Sequence, residues 1–217
     1  MNDRFAELRL AMVREQIEYR GVRNERLLAV LRTLPRHRFV PPSEVECAYE
    51  DRPLPIGYGQ TISQPYIAAL MTQLLQLQGN EQVLEIGSGS GYQAAILAHL
   101  AHQVHTIERI PQLSEQAQRI LLQLGLKNVH VHTGDGSLGY PPEAPFDAIL
   151  ITAAAPNTPR ALLDQLAPQG RLVIPVGKPG AQILQRWVRV NDRFESEDLI
   201  PVVFVPLIGQ AGWPAAT

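Results

Sequence analysis

Residues 83–92 read Val83-Leu84-Glu85-Ile86-Gly87-Ser88-Gly89-Ser90-Gly91-Tyr92. A short apolar strand runs into a glycine-rich turn, and a helical pattern opens at Tyr92. Glycines let a backbone turn tightly and come close to a ligand. The dinucleotide fingerprint G-x-G-x-x-G wants Gly or Ala at its sixth position, where the helix packs over a pyrophosphate. Here that position is Tyr92, and the glycines run G-x-G-x-G instead.

Outward from this turn the chain alternates. Apolar strands are expected at 83–86, 104–107, 129–132, 148–151 and 171–176, with helices at 92–100, 111–124 and 159–166 between them. Gly125 and Gly170 read as helix stops. Such alternation implies right-handed crossovers and a mainly parallel sheet with helices on both faces, a Rossmann-like α/β fold. Beyond it, 183–190 and 202–207 read as an antiparallel C-terminal hairpin. Upstream, one helix reaches about Tyr19 and a second, capped by Asn24, ends at Pro35, forming a small N-terminal helical extension. A long Pro- and Gly-rich loop fills 41–63, and Pro65 opens a helix that Gly79 can end. We expect a single domain: 1–63 as helices and substrate loop, 64–180 as α/β core, and 181–217 as C-terminal strands and tail.

The 217 residues, 45% hydrophobic, suit one domain with a real core. The net charge of −2 counts against a dedicated nucleic-acid binder, which is usually strongly basic. The single cysteine, Cys47, excludes an internal disulfide and suits a reducing compartment. No stretch approaches the ~18 apolar residues of a membrane span, and the first residues do not read as a signal peptide. A cytoplasmic protein is expected.

Three acids mark the ends of successive strands. Glu108 lies 21 positions after Gly87, where a carboxylate suits two ribose hydroxyls. Glu85, at the end of the first strand, would repel a pyrophosphate and favour a ligand bearing an ammonium and a sulfonium. Asp135, held in Gly134-Asp135-Gly136, can accept a hydrogen bond from an adenine amino group. Together they resemble the S-adenosylmethionine methyltransferases. After the fourth strand, Thr152-Ala153-Ala154-Ala155-Pro156 lacks the aromatic stack expected of enzymes that methylate base amino groups. His130 with His132, and His99 with His102, have no third ligand nearby in sequence, so no metal is expected. The loop Gly59-Gln60-Thr61-Ile62-Ser63-Gln64-Pro65 ends at a helix N-terminus and suits an acceptor that is itself a carboxylate. Ser63 reads either as that helix's cap or as a functional hydroxyl.

The chain then resembles the protein-L-isoaspartate O-methyltransferases from its N-terminal helices to about Gly209. The likeness rests on Pro35-Arg36-His37-Arg38-Phe39-Val40, on Gly59 to Pro65, on Leu84 to Gly91, on Gly134-Asp135-Gly136, on Ala144 to Ile149 and on Phe204-Val205-Pro206-Leu207. The Thr61-Ile62-Ser63 segment is its most specific part. The resemblance implies S-adenosyl-L-methionine as cofactor, with S-adenosyl-L-homocysteine as product, and isoaspartyl proteins and peptides as substrates. It places the catalytic serine on Ser63. Cofactor contacts fall on Gln60, Thr61, Ile62, Ser63, Glu85, Gly87, Ser88, Gly89, Ser90, Gly91, Glu108, Asp135 and Gly136. Neither nucleic acid nor membrane is expected as a partner, and a monomer is expected. The tail from Gln210 to Thr217 fits no pattern of the family.

Overall fold

The computed structural model describes residues 4–215. Its central sheet is built from β3 (Gln82–Ile86), β4 (Gln103–Glu108), β5 (Val129–Thr133), β6 (Phe146–Ile151), β7 (Leu166–Lys178), β8 (Ala181–Val190) and β9 (Arg193–Val202), in the order β5-β4-β3-β6-β7-β8-β9. The first five are parallel, and β8 and β9 add an antiparallel hairpin. Alternation within each strand serves two layers of core. Ala148 and Leu150 of β6 pack on one side and Ile149 and Ile151 on the other, all fully buried. A strand buried on both faces reads as a continuous apolar run, as this one does.

Helices cover both faces. Leu97 of α4 (Tyr92–Ala98) and Leu113 and Leu121 of α5 (Pro111–Gln123) join the larger cluster. Leu162 and Leu163 of α6 (Arg160–Leu163) join the other. N-terminal to the sheet lie α1 (Arg4–Ala11), α2 (Glu25–Thr33) and α3 (Pro65–Leu74). Asn24 caps α2 through its side chain, accepting from the Leu27 N–H at 3.0 Å. Among the described residues no helix is long and apolar enough to cross a membrane.

Four expectations shift. The first helix passes into a π-type stretch at Met12–Glu18. The loop 41–63 carries a turn of 3-10 helix at Pro42–Cys47 and a small hairpin of β1 (Leu54–Gly57) and β2 (Gln60–Ile62). Helix 159–166 shrinks to α6, because Leu166 already pairs with Phe146 and 167–170 bulge out of the β6–β7 ladder before Arg171 pairs with Ala148. Pairing with β6 outweighs local helical pattern there. Last, the expected strand at 202–207 is wrong. The hairpin partner of β8 is β9, joined through Asn191 (φ 56°) and Asp192. An Asn with positive φ suits a two-residue hairpin turn.

From β3 the chain passes to β4 and β5 on one side, then returns to β6 on the other. Crevices at such reversals, beyond the C-terminal ends of the strands, are where open α/β sheets bind ligands.

Candidate active site

The glycine-rich turn stands at that reversal. Gly87, Gly89 and Gly91 all have positive φ. At Gly87 space matters too, since a Cβ would lie 2.4 Å from the Thr152 hydroxyl oxygen. The turn's N–H groups are largely occupied. Those of Gly87 and Ser88 point to the Ile107 carbonyl at 2.8 and 3.3 Å, and that of Gly91 to the Ser88 carbonyl at 2.7 Å. The Gly89 N–H donates to Glu108 Oε2 at 2.9 Å. A phosphate cradle needs such groups free, so this turn is built for a ligand without a pyrophosphate.

Glu108 also accepts from the Ile110 N–H through Oε1, at 2.9 Å. Each carboxylate oxygen has two acceptor positions, so one on each remains for a pair of neighbouring hydroxyls. Glu108 lines a cleft together with Gln60, Thr61, Gly87, Gly89 and Gly136. Val205 to Ile208 line it too. At Gly136 a Cβ would meet the Ile86 side chain at 2.6 Å.

Glu85 lies beneath the turn rather than in the cleft. It is fully buried. The Ser88 and Thr106 hydroxyls are 2.6 Å apart, and Thr106 in turn donates to Glu85 Oε2. Oε1 has no partner among the described residues. Burial, countered by the Thr106 hydrogen bond and reinforced by the charge of Glu108, pushes this carboxyl up to about 8. The standing negative charge expected at Glu85 is therefore a correction. Burial favours its neutral form.

A second cleft, of about 600 Å³, opens beside the first and is lined by Ser63, Gln64, Ile67, Gln182 and Phe204 among others. Among the described residues Arg20 is its one charged lining residue, paired with Asp51 at 3.0 Å and lying 3.5 Å over the Tyr66 ring. Thr61, Thr152 and Val205 line both clefts. Ser63 also faces a small hollow that it shares with Ile62, Gly87, Ser88, Gly89 and Ser90. Ser63 is no cap. The N-cap of α3 is Gln64, with no side-chain capping bond, and Pro65 opens the helix.

The chain matches the model of the Protein-L-isoaspartate(D-aspartate) O-methyltransferase family over residues 7–212. It is 54% identical over 202 residues to the protein-L-isoaspartate O-methyltransferase of Methanoculleus marisnigri, covering 93% of this chain and 92% of that one. It is 57% identical over 206 residues to that of Trichlorobacter lovleyi, covering 94% and 95%. The chain belongs to this family. A solved protein-L-isoaspartate O-methyltransferase superposes with a TM-score of 0.85, at 26% identity, over 95% of this chain and 67% of its own. A Plasmodium falciparum protein assigned to the same family, solved in complex with S-adenosyl-L-homocysteine, shares the fold with a TM-score of 0.80 at 24% identity, over 92% and 98%.

In this family member, then, most of the residues picked from sequence gather around two joined clefts. Ile62, Ser88 and Ser90 face only the small hollow beside Ser63, and three more line neither cleft nor hollow. Glu85 is beneath, Gly91 turns against Ala117 at the start of α4, and Asp135 is held by other chain groups. Asp135 Oδ1 accepts from the N–H and hydroxyl of Ser137, at 2.9 and 2.7 Å. Thr152 was missed as an individual. Its hydroxyl lies 3.0 Å from the Ile86 carbonyl and 2.7 Å from that of Gly87, pinning β6 to the turn. A lone threonine heading an alanine run, level with the glycine turn on the neighbouring strand, was the available signal. The C-terminal tail was missed for want of any signal. Trp213 Nε1 donates to the Ala154 carbonyl at 3.1 Å, so the tail folds back over the strand ends.

Proposed function

We propose that this protein transfers the methyl group of S-adenosyl-L-methionine to the free α-carboxylate of L-isoaspartyl residues in damaged proteins and peptides, which starts their repair. The observation that carries this reading is the junction of the two clefts at Thr61 and Thr152, with Ser63 on the acceptor side and Glu108 on the other. S-adenosyl-L-methionine supplies an electrophilic methyl group on a positively charged sulfur.

The donor set fits that cofactor. Glu108 has an acceptor position free on each oxygen for the ribose diol. Asp135 stands beside the cleft, next to its lining residue Gly136, and its Oδ2 keeps one acceptor position beyond the Gln210 bond for the adenine amino group. The remaining task is alignment. An acceptor carboxylate with a pKa near ~3.9 is already ionised at neutral pH, so no base is needed, and among the described residues the acceptor cleft's lining holds no carboxylate, histidine or lysine. Ser63 orients the acceptor oxygen, and Thr61 and Thr152 bound its path. Such alignment is worth up to ~7–11 kcal/mol. The ester product then cyclises off the enzyme: the backbone nitrogen of the following residue attacks the ester carbonyl, methanol leaves, and the succinimide reopens partly to normal aspartate.

We read the protein as a cytoplasmic monomer acting on peptide chains rather than nucleic acid. The near-balanced charge and the small apolar segment 152–156 support that reading. The test is radiolabelled methyl transfer to an isoaspartyl peptide and its aspartyl twin. Both carry an ionised carboxylate of similar basicity, so only geometry separates them. In isoaspartate the free carboxylate sits directly on Cα, one carbon nearer the backbone. A displacement of about an ångström costs ~10²-fold, so the aspartyl peptide is expected to stay essentially unmethylated. Equal methylation of both, or of neither alongside transfer to RNA, would overturn the assignment.

A further inference from the structure

Arg36 is fully buried, yet among the described residues it makes no ion pair with a carboxylate. Its guanidinium reaches two backbone carbonyls instead. Nε donates to Ala48 at 2.7 Å, and an Nη donates to Ser63 at 2.8 Å. Its plane lies 4.9 Å from the ring of Tyr92, the residue that follows the glycine-rich turn. Tyr92 in turn packs edge-on against Phe39, from the same short helical turn as Arg36, at 5.3 Å.

Burying a cation without a counter-charge costs stability, and an apolar side chain of similar volume would serve a core better. What an arginine adds is a rigid planar fork able to fix two acceptors at once. One of those acceptors belongs to Ser63. The Ser63 hydroxyl has no hydrogen bond among the described residues, so within its few staggered rotamers the backbone decides where it can reach. That backbone spans the two residues between the end of β2 and the start of α3. It is a short joint, and the Ser63 carbonyl is the atom through which Arg36 fixes it.

We infer that Arg36 is a positioning residue for methyl transfer: by holding the Ser63 carbonyl against the Tyr92 end of the cofactor turn, it sets the distance between the Ser63 hydroxyl and the transferred methyl group. Burial holds the guanidinium below its ordinary value, but an arginine stays charged, so the grip does not depend on pH in the working range. The guanidinium also interacts with the Tyr92 hydroxyl, so the fork bridges the Ser63 carbonyl and the residue that follows the glycine-rich turn.

This inference rests on the reading of Ser63 as the residue that orients the acceptor, and a double-mutant cycle separates the two. Turnover of an isoaspartyl peptide and affinity for S-adenosyl-L-homocysteine are measured for wild type, Arg36→Met, Ser63→Ala and the double variant. The expected result is a fall in kcat of roughly ten- to hundredfold for Arg36→Met, with cofactor affinity within about threefold of wild type. In the Ser63→Ala background the same arginine change should then cost almost nothing further, since the group it positions is gone. A merely structural arginine would lower kcat by the same factor in both backgrounds, and that result overturns the inference, as does an unchanged kcat in Arg36→Met. Full turnover in Ser63→Ala alone would instead overturn the reading of Ser63. Arg36→Lys, which keeps the charge but reaches one carbonyl at a time, carries the same cycle if the methionine variant fails to fold, with a smaller loss of kcat expected.

Discussion

The backbone N–H of Gln210 donates to Oδ2 of Asp135 at 2.7 Å, tying the C-terminal tail to the segment that follows β5. The Ala211 N–H adds a bond to the Ser137 hydroxyl at 3.0 Å. Burial alone would raise the Asp135 pKa, but the Gln210 and Ser137 hydrogen bonds outweigh it and hold the carboxyl below its ordinary value. The tail can lie this close because residue 209 is glycine: a Cβ there would sit 2.0 Å from Asp135 Oδ1.

Gly209→Ala should therefore lift the tail and open the cofactor cleft where Val205 to Ile208 line it. The expected outcome is a loss of roughly tenfold in affinity for S-adenosyl-L-homocysteine, about 1.4 kcal/mol, with faster release. Calorimetry and displacement kinetics read both. Unchanged affinity would show that the tail takes no part in closing the cleft.

Glu108→Gln keeps the shape but removes the charge and one acceptor oxygen. Charge-assisted hydrogen bonds are worth ~1.5–3 kcal/mol, which predicts roughly ten- to hundredfold weaker cofactor binding by calorimetry. Since Gly89 and Ile110 also bond to Glu108, a modest fall in melting temperature should accompany it. A folded variant with wild-type affinity would remove Glu108 from the site.

Ser63→Ala should lower turnover while leaving the melting temperature where it was. Loss of a true capping side chain costs ~0.5–2 kcal/mol, and here Gln64 is the N-cap with no side-chain bond to lose. Thermal unfolding and turnover on one sample check both halves. A destabilised variant with full turnover would return Ser63 to a structural role.

Two buried groups should give opposite pH dependences. Glu85 is raised from 4.5 to about 8 by burial foremost. Its contribution to stability is full below pH 4.5 and is lost as pH rises through about 8. His105 is lowered from 6.5 to about 4, by burial first and then by the charges of His130 and His132. Its contribution is present above pH 6.5 and is lost as pH falls through about 4. Relative to wild type, Glu85→Gln should gain stability as pH rises from 4.5 to 8, and His105→Gln should gain as pH falls from 6.5 to 4. Urea midpoints at half-unit pH steps would expose either sign; a pH-independent difference would contradict it.

How far the sequence reached follows from the range of the interactions. The glycine-rich turn, the apolar runs of β3 to β6, the Asn24 cap and the order of strand and helix were legible because period, turn chemistry and capping act over a few residues. With the family resemblance they singled out Thr61, Ser63 and Glu108, which the structure gathers around two joined clefts. Strand β9 escaped because its residues 193–198 are largely polar and wet, so no alternation marks it. The extent of α6 was misread because Leu166 answers to Phe146, twenty positions away. What only the tertiary structure decided are contacts between distant segments: Arg36 with Ser63, Thr152 with Gly87, Gln210 with Asp135. The protonation of Glu85 belongs with them, because a side chain's charge depends on how completely the fold removes it from water, and local sequence does not state that.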